Sequence, residues 1–164
     1  KFLHCYGPST QSAFQNWLGC SPKQARRLWQ SVSAEMEPVQ AAGQRAYMLT
    51  EDMDMLFQPA EVDNRLLLLG AHDPYLESRE HDLLLPDKPL QKKVWRTVAN
   101  PGAIVQNGEI IGIWQSKNNP KDKITITLSP FRQLTAPAQK QLQQLVERYA
   151  AFRQRQLHKL QLSE

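Results

Sequence analysis

The sequence has little of what marks a secreted, membrane-spanning or metal-binding protein. Its 164 residues include two cysteines, Cys5 and Cys20, whose positions show no metal-ligand spacing. Both fall near predicted helix ends, so we expect buried free thiols. No apolar run approaches the roughly 20 residues that a membrane-spanning helix needs, and the first residues show no signal-peptide pattern. We therefore expect a cytoplasmic protein with no membrane partner.

Motifs of the common enzyme classes are also scarce. The sequence has no glycine-rich phosphate loop and no nucleophile elbow. Two pairs, His72-Asp73 and His81-Asp82, could belong to a metal-dependent hydrolase. Such a site needs further ligands, and the chain has only two other histidines. Asp73 precedes a proline, where a carboxylate is typical of a turn. We expect no metal and no cofactor, and a small hydrolase is the weakest alternative.

What the chain does contain is a mild positive charge and enough apolar residues for a core. Lys and Arg number 20 against 16 Asp and Glu, which gives a formal net charge of +4. This excess is compatible with nucleic-acid binding and does not demand it. Hydrophobic residues make up 41% of the chain. That content suffices for one domain, or for two small domains that share an interface.

The N-terminal part predicts two short helices joined by a tight turn. Ser9 or Thr10 can cap the first helix, and Gly19 ends it because glycine adopts the left-handed conformation at little steric cost. Ser21 and the proline after it begin the second helix. The predicted buried stripe of that helix consists of Ala25, Leu28, Trp29 and Val32. The polar positions that could contact DNA are Lys23, Gln24, Arg26, Arg27 and Gln30.

A predicted hairpin completes this unit. Residues 36–40 and 44–49 have the pattern of two strands, and Gln44 and Arg45 lie near the tip between them. A helix-turn-helix followed by a two-stranded hairpin is a winged helix, whose second helix lies in a major groove and whose wing contacts phosphates. We therefore predict that residues 1–58 form a winged helix-turn-helix domain that binds double-stranded DNA.

The remainder, residues 59–164, predicts a second domain after a linker at 58–64. Asn107-Gly108 is a strong hairpin signal between strands at 103–106 and 109–115. Another strand is predicted at 123–128, with Ile124, Ile126 and Leu128 facing inward, and a long helix beginning at Thr135 is expected to continue through Leu160. The fold class expected is α+β: the winged helix-turn-helix followed by a small antiparallel β-barrel-like domain with a long C-terminal helix.

Two features of this second domain leave alternatives open. Trp114 suits a barrel core better than a base-stacking platform. Lys117, Lys121 and Lys123 surround a predicted polar loop at 116–122 and form a second basic patch. The patch could contact phosphates, although a solvated loop is the simpler interpretation.

Several short motifs, taken in order, resemble one known family. They are Tyr6-Gly7-Pro8-Ser9-Thr10, Trp17-Leu18-Gly19, Asp73-Pro74-Tyr75, Pro101-Gly102, Asn107-Gly108 and Gly112-Ile113-Trp114. The set resembles the winged-helix DNA-binding family that contains the AlkZ-type alkylpurine DNA glycosylases. The resemblance implies tandem winged helices followed by a β-barrel-like domain, in a protein at least about twice as long.

The start of the chain agrees with that implication. There is no initiating methionine, and residues 1–6 resemble the end of a helix that began earlier. We therefore expect the C-terminal part of a longer protein, with the N-terminal half of the same protein as a partner.

The resemblance also bears on catalysis. Glycosylases of the family carry a Gln-x-Gln or Gln-x-Asp pair with an aliphatic middle residue in their N-terminal half, where it positions the attacking water. Gln154-Arg155-Gln156 matches only the letters, because its middle residue is arginine. We expect no catalytic residue here and a DNA-repair role through binding. The alternative is an interaction module that docks the N-terminal half without touching nucleic acid.

Overall fold

A computed structural model describes residues 1–41, 43–58, 64–77 and 81–163. The chain divides into two compact units, Lys1–Glu61 and Val62–Glu164. Most of the predicted linker at 58–64 lies outside the described residues, as does residue 42 between the two predicted strands of the first unit. In the described parts of the chain, no helix is both long enough and apolar enough to cross a membrane.

The first unit begins with three helices, whose ends follow from local sequence. They are α1 (Phe2–Tyr6), α2 (Gln11–Leu18) and α3 (Pro22–Ser31). The Thr10 hydroxyl accepts a hydrogen bond of 3.1 Å from the amide of Ala13 and so caps α2. Gly19 ends α2 with φ 66° and ψ 29°, in the left-handed region. The two predicted helices and the turn between them are confirmed.

A hairpin and a short helix follow in the same unit. They are β1 (Met36–Ala41), β2 (Gln44–Leu49) and α4 (Met53–Leu56). The two strands are antiparallel, with Met36 opposite Leu49. Ser9 adds a short bridge to the hairpin, because its backbone exchanges hydrogen bonds of 2.9 and 2.8 Å with Tyr47. The segment between α1 and α2 is thereby tied to the hairpin.

Within its described residues, the second unit contains one mixed sheet and three helices. Its strands are β3 (Leu66–Leu69), β4 (Gly102–Gln106), β5 (Glu109–Asn119), β6 (Lys123–Pro130) and β7 (Gln156–Leu162). Its helices are α5 (His81–Leu84), α6 (Lys88–Val94) and α7 (Ala136–Phe152). The strands are neighbours in numerical order, and all pairs are antiparallel except β6 with β7. The mixed α+β class expected from the sequence is confirmed.

Both faces of this sheet are covered, by different helices. On one face, α7 packs on a core of isoleucines and leucines together with Trp114; this core includes Ile104, Ile124, Ile126, Leu128, Leu142 and Val146. On the other face, α5 and α6 cover Ala103, Val105, Ile110 and Ile113. The sequence predicted a small antiparallel β-barrel-like domain here. The barrel is wrong: within the described residues the sheet is open, with β3 and β7 at its edges.

The predicted C-terminal end of the last helix is also wrong. It begins at the cap of Thr135 as expected but ends at Phe152, which is 82% exposed. Gln154 then adopts φ 52°, a left-handed conformation that does not continue a helix. Leu160 therefore lies in β7, half-buried against the sheet. The Gln154-Arg155-Gln156 triplet sits at this helix-to-strand junction and not on a helix face.

Two details of β5 and β6 differ from the predicted pattern. The register between β4 and β5 shifts, with Val105 opposite Ile110 and Ile104 opposite Gly112. Because of this bulge, Ile110 and Ile113 share one core, whereas simple alternation placed them on opposite faces. The predicted loop at 116–122 is wrong in its first half, since β5 continues to Asn119 and pairs with β6.

The cysteines are free thiols, as predicted, but the expected burial is wrong. Cys5 is exposed and Cys20 is partly exposed. Cys5 lies on the outer side of α1, whose buried residues are Phe2 and Leu3. Helix α1 has only five residues, so just one narrow side of it reaches the core.

Candidate nucleic-acid interface

Helix α3 separates its apolar and cationic residues onto opposite sides. Ala25 and Trp29 are buried, and Leu28 is half-buried. All five predicted DNA-contacting residues of the helix are exposed: Lys23, Gln24, Arg26, Arg27 and Gln30. At about 100° per residue, the four other than Gln24 project within roughly a third of the helix circumference. Gln24 projects beside that sector. Val32, predicted to be buried, is 37% exposed because α3 ends one residue before it.

An aromatic cluster holds α3 against the rest of the first unit. The Trp29 ring lies 5.7 Å from that of Phe14 on α2 and 5.9 Å, edge-on, from that of Tyr47 on β2. Phe2 of α1 lies 5.4 Å from Phe14. Ring pairs at these distances contribute beyond the area that they bury. The buried side of α3 is therefore fixed, and its cationic side faces away from this core.

The cations of α3 are not neutralised by neighbouring carboxylates. Among the described residues, Lys23, Arg26 and Arg27 form no ion pair. If these side chains were held in salt bridges, the interaction-module alternative would gain support. Their charges are instead available to an anionic ligand.

The predicted tip residues belong to the same unit and are also exposed. Gln44 and Arg45 begin β2, next to Gly43, which has φ 77°. The Arg45 guanidinium lies over the Tyr47 ring, 5.4 Å from its centroid. Stacking of this kind limits the conformations of the side chain while its donors stay free. The structure thus keeps a cation near the end of the hairpin.

Ser21 has a specific role in positioning α3, because its hydroxyl accepts a hydrogen bond of 3.3 Å from the amide of Gln24. We expect Ser21→Ala to lower the free energy of unfolding of the first unit by about 1 kcal/mol. Ser21→Asp retains an acceptor and should stay close to the parent. Urea unfolding followed by Trp fluorescence measures the difference. Equal destabilisation by both substitutions would mean that the cap contributes nothing.

The two His-Asp pairs make separate contacts in the described part of the chain. His72 bonds through Nδ1 to Glu77 at 3.2 Å, and Asp73 accepts the Tyr75 amide at 3.0 Å in the predicted turn. The His81 ring stacks on Trp95 at 3.7 Å. Each pair is therefore engaged with its own neighbours.

Asp82, of the second pair, has cationic and amide neighbours of its own. Its carboxylate accepts hydrogen bonds from Lys88 and Gln91. These bonds hold the pKa of Asp82 below its ordinary value. Asp82 is therefore held in its charged form in a surface ion pair with Lys88, which does not suit the role of a general acid.

A further polar group was not predicted from the sequence. His4 Nδ1 lies 2.9 Å from both carboxylate oxygens of Asp52, and Glu51 is close enough for all three side chains to meet within 4.8 Å. The bond joins α1 to the turn after β2. No sequence signal connects these residues, because 47 or more positions separate His4 from the two acids.

Trp114 lies in the core of the second unit. It is buried, its Nε1 donates to the carbonyl of Leu69 at 2.8 Å, and its ring meets Tyr149 edge-on at 4.8 Å. A ring enclosed in this way offers no face to a nucleotide base. The predicted core role is confirmed.

Comparisons with known proteins give the class of the molecule. The chain belongs to the AlkZ-like family, described as DNA glycosylase AlkZ-like, whose family model matches residues 1–152. The family resemblance seen in the sequence is confirmed.

Two particular proteins are similar to this chain. The interstrand DNA cross-link repair glycosylase of Streptomyces sahachiroi is 28% identical over 122 residues, which cover 70% of this chain and 32% of that protein. The solved structure of Streptomyces sahachiroi DNA glycosylase AlkZ matches 99% of this chain and 43% of its own, with a TM-score of 0.75 and 22% identity. The chain spans less than half the length of either protein, and the structural match shows a shared fold.

Proposed function

We propose that this chain is the DNA-binding part of an AlkZ-like DNA-repair protein and does not excise bases by itself. In this proposal residues 1–58 are a winged helix-turn-helix and residues 59–164 a second domain. The exposed cationic side of α3, without ion pairs among the described residues, carries the proposal. The partners proposed are double-stranded DNA and the N-terminal half of the same protein.

The arrangement of the first unit supports the winged-helix assignment. Helices α2 and α3 are joined by a turn at Gly19, and the hairpin of β1 and β2 follows directly. Ser9 pairs with Tyr47 of the hairpin in an isolated antiparallel bridge. In DNA-binding proteins of this build the second helix of the pair enters the major groove. Helix α3 occupies that position here.

The chemistry of the exposed residues suits a duplex. Lys and Arg contact phosphates, and the amides of Gln24 and Gln30 can read adenine or phosphate oxygens. Three cations on α3 together with Arg45 give about four phosphate contacts, so log K should change with log salt with a slope of about −3.6. A slope close to zero would be incompatible with this surface.

The proposed lack of catalysis rests on the residues available. The sequence has one Gln-x-Gln triplet with an aliphatic middle residue, Gln141-Leu142-Gln143, but it lies on α7, where Leu142 is buried in the core and Gln143 donates to Glu147. Gln154 and Gln156 flank an arginine at a helix-to-strand junction. The relative named as a glycosylase aligns over only 32% of its length. We place the chemistry of base excision in a region corresponding to the rest of that relative.

Two measurements on the 164-residue chain test the proposal. Fluorescence anisotropy with a labelled duplex, between about 50 and 200 mM salt, should show binding that weakens steeply. A base-release assay on alkylated duplex should give no product above the protein-free control. Binding without salt dependence, or release of modified base, would contradict the respective half of the proposal.

One observation favours the interaction module as a second candidate. Three apolar side chains at the C-terminal ends of α1 and α2 are strongly exposed, Tyr6 (42%), Trp17 (51%) and Leu18 (42%), and the rings of Tyr6 and Trp17 lie 6.3 Å apart. A patch of this kind suits contact with another protein surface, such as the upstream part of the same protein. If this is the main role, the chain should bind no duplex, and substitution of the α3 arginines should have no effect on its interactions.

A further inference from the structure

The open part of the second unit's sheet carries a polar face that extends across three strands. The register of β5, β6 and β7 places residues side by side in three rows. The rows are Gln115–Thr127–Gln161, Lys117–Thr125–Lys159 and Asn119–Lys123–Gln156. We call these nine residues the lysine face. Lys159 joins Lys117 and Lys123, two of the three lysines of the basic patch predicted from the sequence, only because β7 pairs with β6, which the sequence did not predict.

Side-chain contacts confirm that the rows share one side of the sheet. Residues opposite each other in a ladder project to the same face. The Thr127 hydroxyl donates to Gln161 Oε1 at 3.3 Å, and Asn119 Nδ2 donates to Thr125 Oγ1 at 2.7 Å. The alternate residues Ile124 and Ile126 are fully buried on the opposite side, in the core under α7. The polar side chains therefore form a continuous surface on a rigid support.

This surface begins where the helical cover of the sheet ends. On the same side, Ile113 of β5 packs in the core formed by α5 and α6. Two residues further along β5, Gln115 is exposed, and so is Lys117. Lys159 is likewise exposed on β7. None of the nine residues is apolar, so these rows contain no side chain that would need to be buried under a helix.

The charge of the lysine face is one-sided. It contains three lysines and no carboxylate, and within the described residues none of the three lysines forms an ion pair. The carboxylate nearest in sequence, Asp122, belongs to the turn beyond Asn119, where its backbone carbonyl accepts the amide of Gln156. Glutamine, asparagine and threonine side chains add hydrogen-bond donors between the cations. The combination suits an extended anion.

We infer that the lysine face is a second phosphate-binding surface, which contacts the backbone of duplex DNA independently of α3. Duplex DNA as the ligand is taken from the proposed function. Two strand spacings of about 4.8 Å separate Lys117 from Lys159 by roughly 10 Å, so the two cations can contact different phosphates. The rows hold no aromatic ring on which unpaired bases could stack, so a single strand fits poorly. They hold no apolar anchor for a protein partner either.

The test compares two double variants of the whole chain that lose equal charge. Lys117→Gln with Lys159→Gln removes two cations from the lysine face. Lys140→Gln with Arg148→Gln removes two exposed cations from α7, on the other side of the sheet. We expect the first variant to bind a labelled duplex about 3- to 10-fold more weakly. The slope of log K against log salt should become less steep by about 1.8, at 0.9 per lost contact. The α7 variant should change affinity less than twofold.

A folding control and a conservative variant keep the result interpretable. Lys117→Arg with Lys159→Arg retains both charges and should bind as tightly as the parent. Thermal unfolding of all variants should give the same midpoint, because the substituted side chains are exposed. Equal loss of affinity in the glutamine and arginine variants would overturn the inference, since it would indicate a damaged sheet in place of a lost charge.

Further outcomes separate this inference from the proposed function. If Arg26→Ala with Arg27→Ala weakens binding and the lysine-face variant does not, the inference is wrong while the function stands. If both variants weaken binding and their effects add, both are supported. Phosphatidylserine vesicles serve as a second probe: dependence on Lys117 and Lys159 for vesicles but not for duplex would identify an anionic lipid surface and overturn the inference.

Discussion

Replacing Arg26 and Arg27 with alanine is expected to weaken duplex binding at least about tenfold at low salt and to reduce the salt slope by about 1.8. Both guanidinium groups are exposed on α3, and neither forms an ion pair among the residues described. Each can therefore contact phosphate or a guanine edge without first breaking an internal contact. Anisotropy titrations at several salt concentrations measure affinity and slope together.

The design separates loss of contact from loss of structure. Alanine favours helix at least as well as arginine, so α3 should remain intact in the variant. Lys140→Ala with Arg148→Ala on α7 removes the same charge elsewhere and controls for a general effect of net charge. Unchanged affinity across the salt series would reject α3 as the DNA-contacting helix and would support the interaction module.

Replacing Trp114 with alanine is expected to have the largest effect on stability, lowering the free energy of unfolding of the second unit by about 3–5 kcal/mol. The side chain is buried, donates to Leu69 and packs edge-on against Tyr149. Gly102 on the neighbouring strand has no side chain, and a methyl group there would collide with the indole nitrogen. The space around this ring is therefore closely filled, and alanine would leave a cavity.

Two comparisons test that explanation. Trp114→Phe keeps most of the volume but leaves the Leu69 carbonyl without its donor, so we expect a smaller loss of about 1–3 kcal/mol. Phe152→Ala removes a ring of the same unit that is 82% exposed and should cost much less than Trp114→Ala. Urea unfolding measures all three variants. Similar losses for Phe152 and Trp114 would show that burial does not control the stability of this unit.

Local signals in the sequence predicted local structure well. Thr10, Gly19 and Ser21 each act within four residues, so the ends of α2 and the start of α3 follow from hydroxyl caps and glycine geometry. Asn107 and Gly108 both take positive φ, at 53° and 80°, as a two-residue hairpin turn requires. The exposed side of α3 follows from helical periodicity alone.

Features that depend on distant partners were not predicted. The helix expected to continue through Leu160 ends at Phe152, because Gln154 is left-handed and residues 156–162 pair as a strand with the edge of β6. The bulge between Ile104 and Val105 reverses the faces expected for Ile110 and Ile111. An open sheet with helices on both faces buries its residues as completely as a barrel does, so burial patterns could not distinguish the two.

The two candidate surfaces, the cationic side of α3 and the lysine face, also differ in how far the sequence predicted them. The sequence by itself determined which residues are cationic and that those of α3 lie on one side of a helix, because periodicity and caps act over a few residues. Only the tertiary structure decided that Lys117 and Lys159 share a row, through the pairing of β5, β6 and β7. It also decided that the α3 cations have no carboxylate partner among the described residues. Strand register and ion pairing depend on residues far apart in the chain, which a local pattern does not specify.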